Sequence, residues 1–161
     1  ATIGLPGIQL AIETFDGVPH RLELVRELNG VRWYNDSIAT APERTVAAIN
    51  SFEEPIVLLL GGRDKKLPWD HLAQLIRKRV SRVVIFGEAG DLIADAIGPK
   101  KPGQAMRSVV RCATLHEAIK TAYKQAEKGD VVLLSPGCTS YDAFKDFEER
   151  GQAFRKWVNE L

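Results

Sequence analysis

Ile56-Val57-Leu58-Leu59-Leu60-Gly61-Gly62-Arg63-Asp64-Lys65 reads as a buried strand that breaks at once into a turn. Five aliphatic residues in a row leave no polar face, so the strand needs cover on both sides, as in a parallel sheet between helical layers. Val131 to Leu134 and Arg82 to Phe86, the latter ending at Gly87, have the same character. Helical segments separate these runs. One runs from about Trp69 to Arg79, with Leu72, Leu75, Ile76 and Val80 as its apolar stripe, and Ala89 to Ile97 forms another. A third, Thr114 to Lys128, carries Leu115, Ala118, Ile119 and Ala122 at helical spacing and is stopped by Gly129.

Upstream, Leu22 to Leu28 and Val31 to Asn35 flank Asn29-Gly30, a pair suited to the two positive φ angles of a type I′ hairpin turn. Thr40-Ala41-Pro42-Glu43 then predicts a helix over about 42–51, with Thr40 as cap, proline in the first turn and an acid three residues on. Residues 98–103 cannot hold regular structure, and Arg107 to Cys112 reads as a short strand near the sheet edge. Asp146-Phe147-Glu148-Glu149 is a capping box opening a last helix, with Phe147, Phe154, Trp157, Val158 and Leu161 along one face. The alternation predicts a mostly parallel α/β sheet, an antiparallel β-hairpin at its start and helices on both faces.

The 161 residues suit one domain, and folding at this size buries ~70% of the unfolded chain's surface. Lysine and arginine total 22 against 21 acidic residues, a balance with no general attraction for nucleic acid or an anionic membrane. The longest aliphatic run is far short of the ~20 residues of a membrane span, and the start has no signal-peptide pattern. Cys112 and Cys138 stand apart and read as two buried thiols in a reducing compartment. Leu10, Ala11, Ile12 and Phe15 suggest a helical remnant, so residues 1–17 are expected to be the tail of a preceding domain.

Ligands of open α/β sheets bind beyond the carboxyl ends of the strands. Three turns there are unusually polar: Asp36-Ser37-Ile38-Ala39-Thr40, Gly61-Gly62-Arg63-Asp64-Lys65-Lys66 and Ser135-Pro136-Gly137-Cys138-Thr139-Ser140-Tyr141-Asp142. In a parallel sheet they converge on one rim. Paired glycines let backbone approach a ligand, Lys65 supplies a compact cation, and open N–H groups near Phe147, with Ser140 before them, can hold a carboxylate or phosphate. Each feature has a plainer structural reading: glycine pairs are turn devices, Thr40 is a cap, and Lys65 and Lys66 are solvated charges. The chain has no GxxxxGK[ST] loop and no GxGxxG after a strand. Nothing in it resembles a Ser-His-Asp triad or a metal cluster, and His20, His71 and His116 are scattered.

Val18-Pro19-His20-Arg21-Leu22-Glu23, Tyr34-Asn35-Asp36-Ser37-Ile38-Ala39-Thr40, Leu60-Gly61-Gly62-Arg63-Asp64-Lys65 and Leu134 to Phe147 occur in that order. Together they resemble the C-terminal domain of the Mur ligases, over residues 18–161. The resemblance implies a Rossmann-like three-layer domain of an ATP-dependent amide ligase, with the Asn-Asp-Ser element pointing to D-glutamate as the amino acid joined to UDP-N-acetylmuramoyl-L-alanine in peptidoglycan synthesis. In such an enzyme a carboxylate is activated as an acyl phosphate, an amine attacks it, and ADP and phosphate leave. ATP and Mg2+ are the implied cofactors of the full-length, cytoplasmic enzyme. The phosphate loop and metal ligands lie in another domain, so the fragment alone is expected to hold neither cofactor and to be inactive.

Carried over by motif, Arg21 would reach the ATP phosphates and Asp36 the ribose. Thr40 and Lys65 would bind the α-carboxylate of D-glutamate, and Ser140 with the Phe147 N–H its side-chain carboxylate. Ile38 stands where a lysine is common and Ala41 where asparagine is, leaving Arg63 to replace the missing cation. A sibling ligase, a folylpolyglutamate synthase and a stand-alone Rossmann-like binding module are the alternatives.

Overall fold

The computed structural model describes residues 17–161. The expected remnant at residues 1–17 lies, except for Gly17, outside the described residues. Six strands, β1 (Glu23–Leu28), β2 (Val31–Asn35), β3 (Ile56–Gly61), β4 (Val80–Phe86), β5 (Ser108–Arg111) and β6 (Val131–Gly137), form one sheet in the order β1-β2-β6-β3-β4-β5. β1 is antiparallel to β2 across the Asn29-Gly30 turn, where both residues have positive φ, and the other pairings are parallel. The five helices are α1 (Pro42–Ile49), α2 (Asp70–Arg79), α3 (Gly90–Ile97), α4 (Leu115–Gln125) and α5 (Phe147–Asn159).

Alternation along the central strands divides the core in two. Ile56, Leu58 and Leu60 of β3 pack with Ile49, Leu72, Ile76 and Ile93 from α1, α2 and α3. Val57 and Leu59 face the other way, toward Ile119 of α4 and Phe154 and Val158 of α5. This is the three-layer arrangement that the doubly buried aliphatic runs require.

Several local expectations change, and Val80, expected on a helical stripe, opens β4 instead. Thr40 does not cap α1: the cap position is Ala41, which has no side-chain cap bond, because Pro42 takes the first helical position. α4 ends at Gln125 rather than Lys128. There the Glu127 N–H bonds the Asp130 carboxylate, Gly129 N bonds Gly30 O, and Arg82 draws both Glu127 and Asp130 toward β4. β6 runs through Ser135 and Pro136 to Gly137, which pairs with Gly61, so its rim turn starts at Cys138. Both cysteines are free, but only Cys138 is buried; Cys112 is half-buried beside the Thr121 hydroxyl.

Candidate functional site

The parallel topology brings the turns after β2, β3 and β6 to one edge. There the Lys65 ammonium, exposed, donates to Thr40 Oγ1 at 3.1 Å, joining the turns after β3 and β2. Ser140 is 2% exposed and its carbonyl accepts the N–H groups of Ala143 and Phe144, a compact turn leading to α5. Asp146 caps α5 by accepting the Glu149 N–H at 2.8 Å. Phe147 is the first residue of that helix, so its N–H has no intrahelical acceptor and lies at the positive end of the dipole.

Arg21 and Asp36 line a separate pocket of about 180 Å3, together with Leu22, Ile38 and Arg44. The Asp36 carboxylate is 5% exposed and accepts Ser135 Oγ at 2.8 Å and the Leu22 N–H at 3.2 Å. Burial pushes its pKa up to about 6, outweighing those bonds and the attraction of Arg21 and Arg44. His20 and Leu22, on either side of Arg21, both adopt positive φ. Such backbone costs about 1–3 kcal/mol per residue and persists only where the surroundings impose it. Here Ile38 N bonds His20 O, and Asp36 holds Leu22 N.

Three residues that build the rim went unassigned in the sequence. Arg150 of α5 is fully buried, and its guanidinium donates to Ser37 Oγ at 3.0 Å, Ser37 O at 2.9 Å and Cys138 O at 3.1 Å. It thus ties the turn after β2 to the turn after β6, and its other arm lies 3.5 Å from Gly61 O at the end of β3. None of these acceptors is a carboxylate. Burial lowers its pKa to about 10, so it remains a cation at neutral pH beneath the rim. Asn35 and His20, both buried, bond each other at 3.0 Å. Signals for these residues were present: Arg150-Gly151 interrupts the apolar stripe between Phe147 and Phe154, and Asn35 occupies an inward position in line with Val31 and Trp33.

The glycine pair serves the neighbouring turns. A Cβ on Gly61 would overlap the Phe86 carbonyl, and one on Gly62 the Thr139 carbonyl. Arg63 is held by Glu88, in the turn after β4, with Nε and Nη2 at 3.1 and 3.0 Å from Oε2. Another cavity, of about 420 Å3, lies past the end of β4 among Phe86, Glu88, Thr114, Asp142, Phe144 and Trp157, and none of the expected contact residues lines it. The described residues contain no group of three or more His, Cys, Asp or Glu placed to hold a metal.

The carboxyl rim of this α/β sheet thus carries a buried guanidinium, an open helix N-terminus and an exposed lysine, beside a pocket lined by Asp36, Arg21 and Arg44, a set of groups suited to anionic ligands. The family described as Mur ligase, glutamate ligase domain matches residues 20–138, and the chain belongs to it. UDP-N-acetylmuramoylalanine–D-glutamate ligase of Acetivibrio thermocellus is 45% identical over 157 residues, covering 96% of this chain and 34% of that protein. The ligase of the same name from Lactobacillus delbrueckii subsp. bulgaricus is 46% identical over 158 residues, covering 98% and 34%. The chain therefore spans about a third of the length of these curated relatives.

Two solved structures share the fold. A bifunctional folylpolyglutamate synthase/dihydrofolate synthase from Yersinia pestis superposes with TM-score 0.70 at 14% identity, covering 100% of this chain and 36% of that one. MurF ligase from Thermotoga maritima in complex with ADP gives TM-score 0.60 at 21% identity, covering 91% and 33%.

Proposed function

We propose that residues 18–161 are the amino-acid-binding domain of an ATP-dependent ligase that joins D-glutamate to UDP-N-acetylmuramoyl-L-alanine in peptidoglycan synthesis in the cytoplasm. The observation that carries this reading is the gathering of three polar turns on one rim, in a chain whose curated relatives bear that name. Thr40 and Lys65, already in contact, present a hydroxyl and an ammonium to the α-carboxylate of D-glutamate. Ser140 and the Phe147 N–H take the side-chain carboxylate, aided by the dipole of α5 and the Arg150 cation. On the adjoining flank, Asp36 accepts the hydroxyls of a ribose and Arg21 meets the phosphates.

ATP supplies the phosphoryl group that activates the acceptor's carboxylate. The domain's share is to hold the amino acid with its amine directed at that carbon, and proximity of this kind contributes ~7–11 kcal/mol to a bimolecular reaction. The described residues fit the ribose and phosphates at Asp36 and Arg21. The described residues contain no group of three or more His, Cys, Asp or Glu placed for Mg2+, and we assign the metal to another part of a longer enzyme. Phosphoryl transfer needs a phosphate cradle and a bound cation, so this chain alone turns over no ATP.

The test is ADP release by a ligase of the relatives' full length carrying this domain. Release should require UDP-N-acetylmuramoyl-L-alanine and D-glutamate together. Equal release with L-glutamate on a folate acceptor, or with a different amino acid, would overturn the assignment.

A further inference from the structure

His20 is buried although it sits in a loop beside an exposed arginine, and helix α5 leaves room for its ring. Helix α5 carries a glycine at 151, in its interior, where a Cβ would overlap the His20 ring. The ring also meets the Phe147 ring edge-on, with centroids 6.2 Å apart. Asn35 Nδ2 lies 3.0 Å from His20 Nδ1 and 3.2 Å from Glu23 Oε2. Its Oδ1 accepts the Ser37 N–H at 3.2 Å, and Ser37 Oγ donates to Phe147 O at 2.7 Å while accepting Arg150 Nε at 3.0 Å. An unbroken run of bonds thus leads from the turn that carries Arg21 to the first residue of α5.

We propose that His20, Asn35 and Ser37 are positioning residues that couple the nucleotide flank of the rim to its amino-acid flank. The inference rests on the assignment of Arg21 and Asp36 to nucleotide and of Phe147 to the amino acid. None of the three touches a ligand. They hold the carbonyl of Phe147, the residue whose N–H faces the amino acid, and so set the first turn of α5 and transmit displacements of the turn at 20–22. A nucleotide that draws Arg21 outward pulls on the backbone of His20, and the same bonds then move Phe147. Sites coupled in this way must affect each other reciprocally.

The chemistry of His20 supplies an independent handle. An Asn35 amide nitrogen facing Nδ1 suits the neutral imidazole with its proton on Nε2. Burial lowers its pKa below the ordinary value; Arg155 of α5 adds to this, while Glu23 of β1 and Glu148 and Asp146 at the start of α5 oppose it. Protonation places an N–H against the Asn35 amide, which must then turn and release Ser37. Asp36, two residues from Ile38's bond to His20, also titrates nearby.

The experiment is a pH titration of the full chain by 1H–15N NMR, followed by D-glutamate titrations with and without saturating ADP. The Phe147 amide shift should follow the His20 imidazole through its transition. It should cease to do so in His20→Gln, whose side-chain carbonyl still accepts from Asn35 but does not ionise, and in Ser37→Ala, which cuts the last bond. Asp36→Asn should leave the correlation in place. ADP should change the D-glutamate Kd by about 5-fold in the parent chain, within the ordinary range of coupling between sites, and by less than 2-fold in Ser37→Ala. A Phe147 amide that ignores His20, or one that still follows it in Ser37→Ala, overturns the inference. If the amide follows His20 but neither ADP nor D-glutamate perturbs the rim, the functional assignment fails and the strut stands.

Discussion

Asp36→Asn should make the protein more stable while weakening its proposed contact with nucleotide. The carboxylate is 5% exposed, and its burial raises the pKa from 3.8 to about 6 despite bonds from Ser135 and Leu22. Between those values the folded chain keeps a proton that the unfolded chain has released, so stability falls as pH rises across the window. The full shift is worth about 3 kcal/mol above pH 7 and about 1 kcal/mol at pH 4.5. Asparagine carries no charge and fits the same partners: its oxygen can accept the Leu22 N–H and its amide can donate to Ser135 Oγ. That hydroxyl then turns to Thr45 Oγ1, already 3.3 Å away. Urea denaturation of both proteins at pH 7.5 and 4.5 should show an advantage of about 3 kcal/mol for the variant that narrows to about 1. ADP binding by the same variant should weaken about tenfold or more, the loss of bonds to a charged group. A variant no more stable than its parent at pH 7.5, or a gap that does not change with pH, would refute the reasoning.

In a ligase of the relatives' full length carrying this domain, Lys65→Ala should raise the KM for D-glutamate about 10–150-fold, the range of a charge-assisted bond, and leave that for ATP nearly unchanged. The reverse pattern would move Lys65 to the nucleotide. Gly151→Ala should add about 1 kcal/mol of helix propensity yet lower net stability by about 1–2 kcal/mol, because the new Cβ displaces His20. A raised urea midpoint would contradict this. Arg150→Leu should cost about 3 kcal/mol, since the buried carbonyls of Ser37 and Cys138 lose their donor. Stability equal to the parent's would remove the guanidinium from its place as the clasp of the rim.

The sheet and its helices were readable because the information is local. Ile56 to Leu60 declares two covered faces within five residues, and the Asp146 cap with Glu149 marks the start of α5 within four. The polar turns were readable for the same reason, as residues found immediately after aliphatic runs. What escaped depends on partners distant in the chain. Arg150 meets Ser37 from 113 positions away, and nothing near either residue states that they touch. Thr40 reads as a cap from its own neighbours, and only the motif resemblance, not local pattern, pairs it with Lys65, 25 positions on. The extra length of β6 likewise comes from Gly61 across the sheet, against the local signal of Pro136. Charged or polar residues placed in an apolar stripe, such as Arg150 and Asn35, are the one local trace such long-range networks leave.

The central claim is that the rim formed by the turns after β2, β3 and β6 holds D-glutamate. Titrating the 15N-labelled chain with D-glutamate, with L-glutamate as control, tests it most directly. Lys65 lies exposed at the rim, so a ligand there competes with water and the Kd should be on the order of 1 mM or weaker, about 4 kcal/mol. The account predicts fast-exchange shifts at Thr40, Lys65, Ser140 and Phe147 that are larger for the D than for the L enantiomer. Shifts centred instead on Phe86, Thr114 and Trp157 around the other cavity, or equal shifts with both enantiomers, would contradict it.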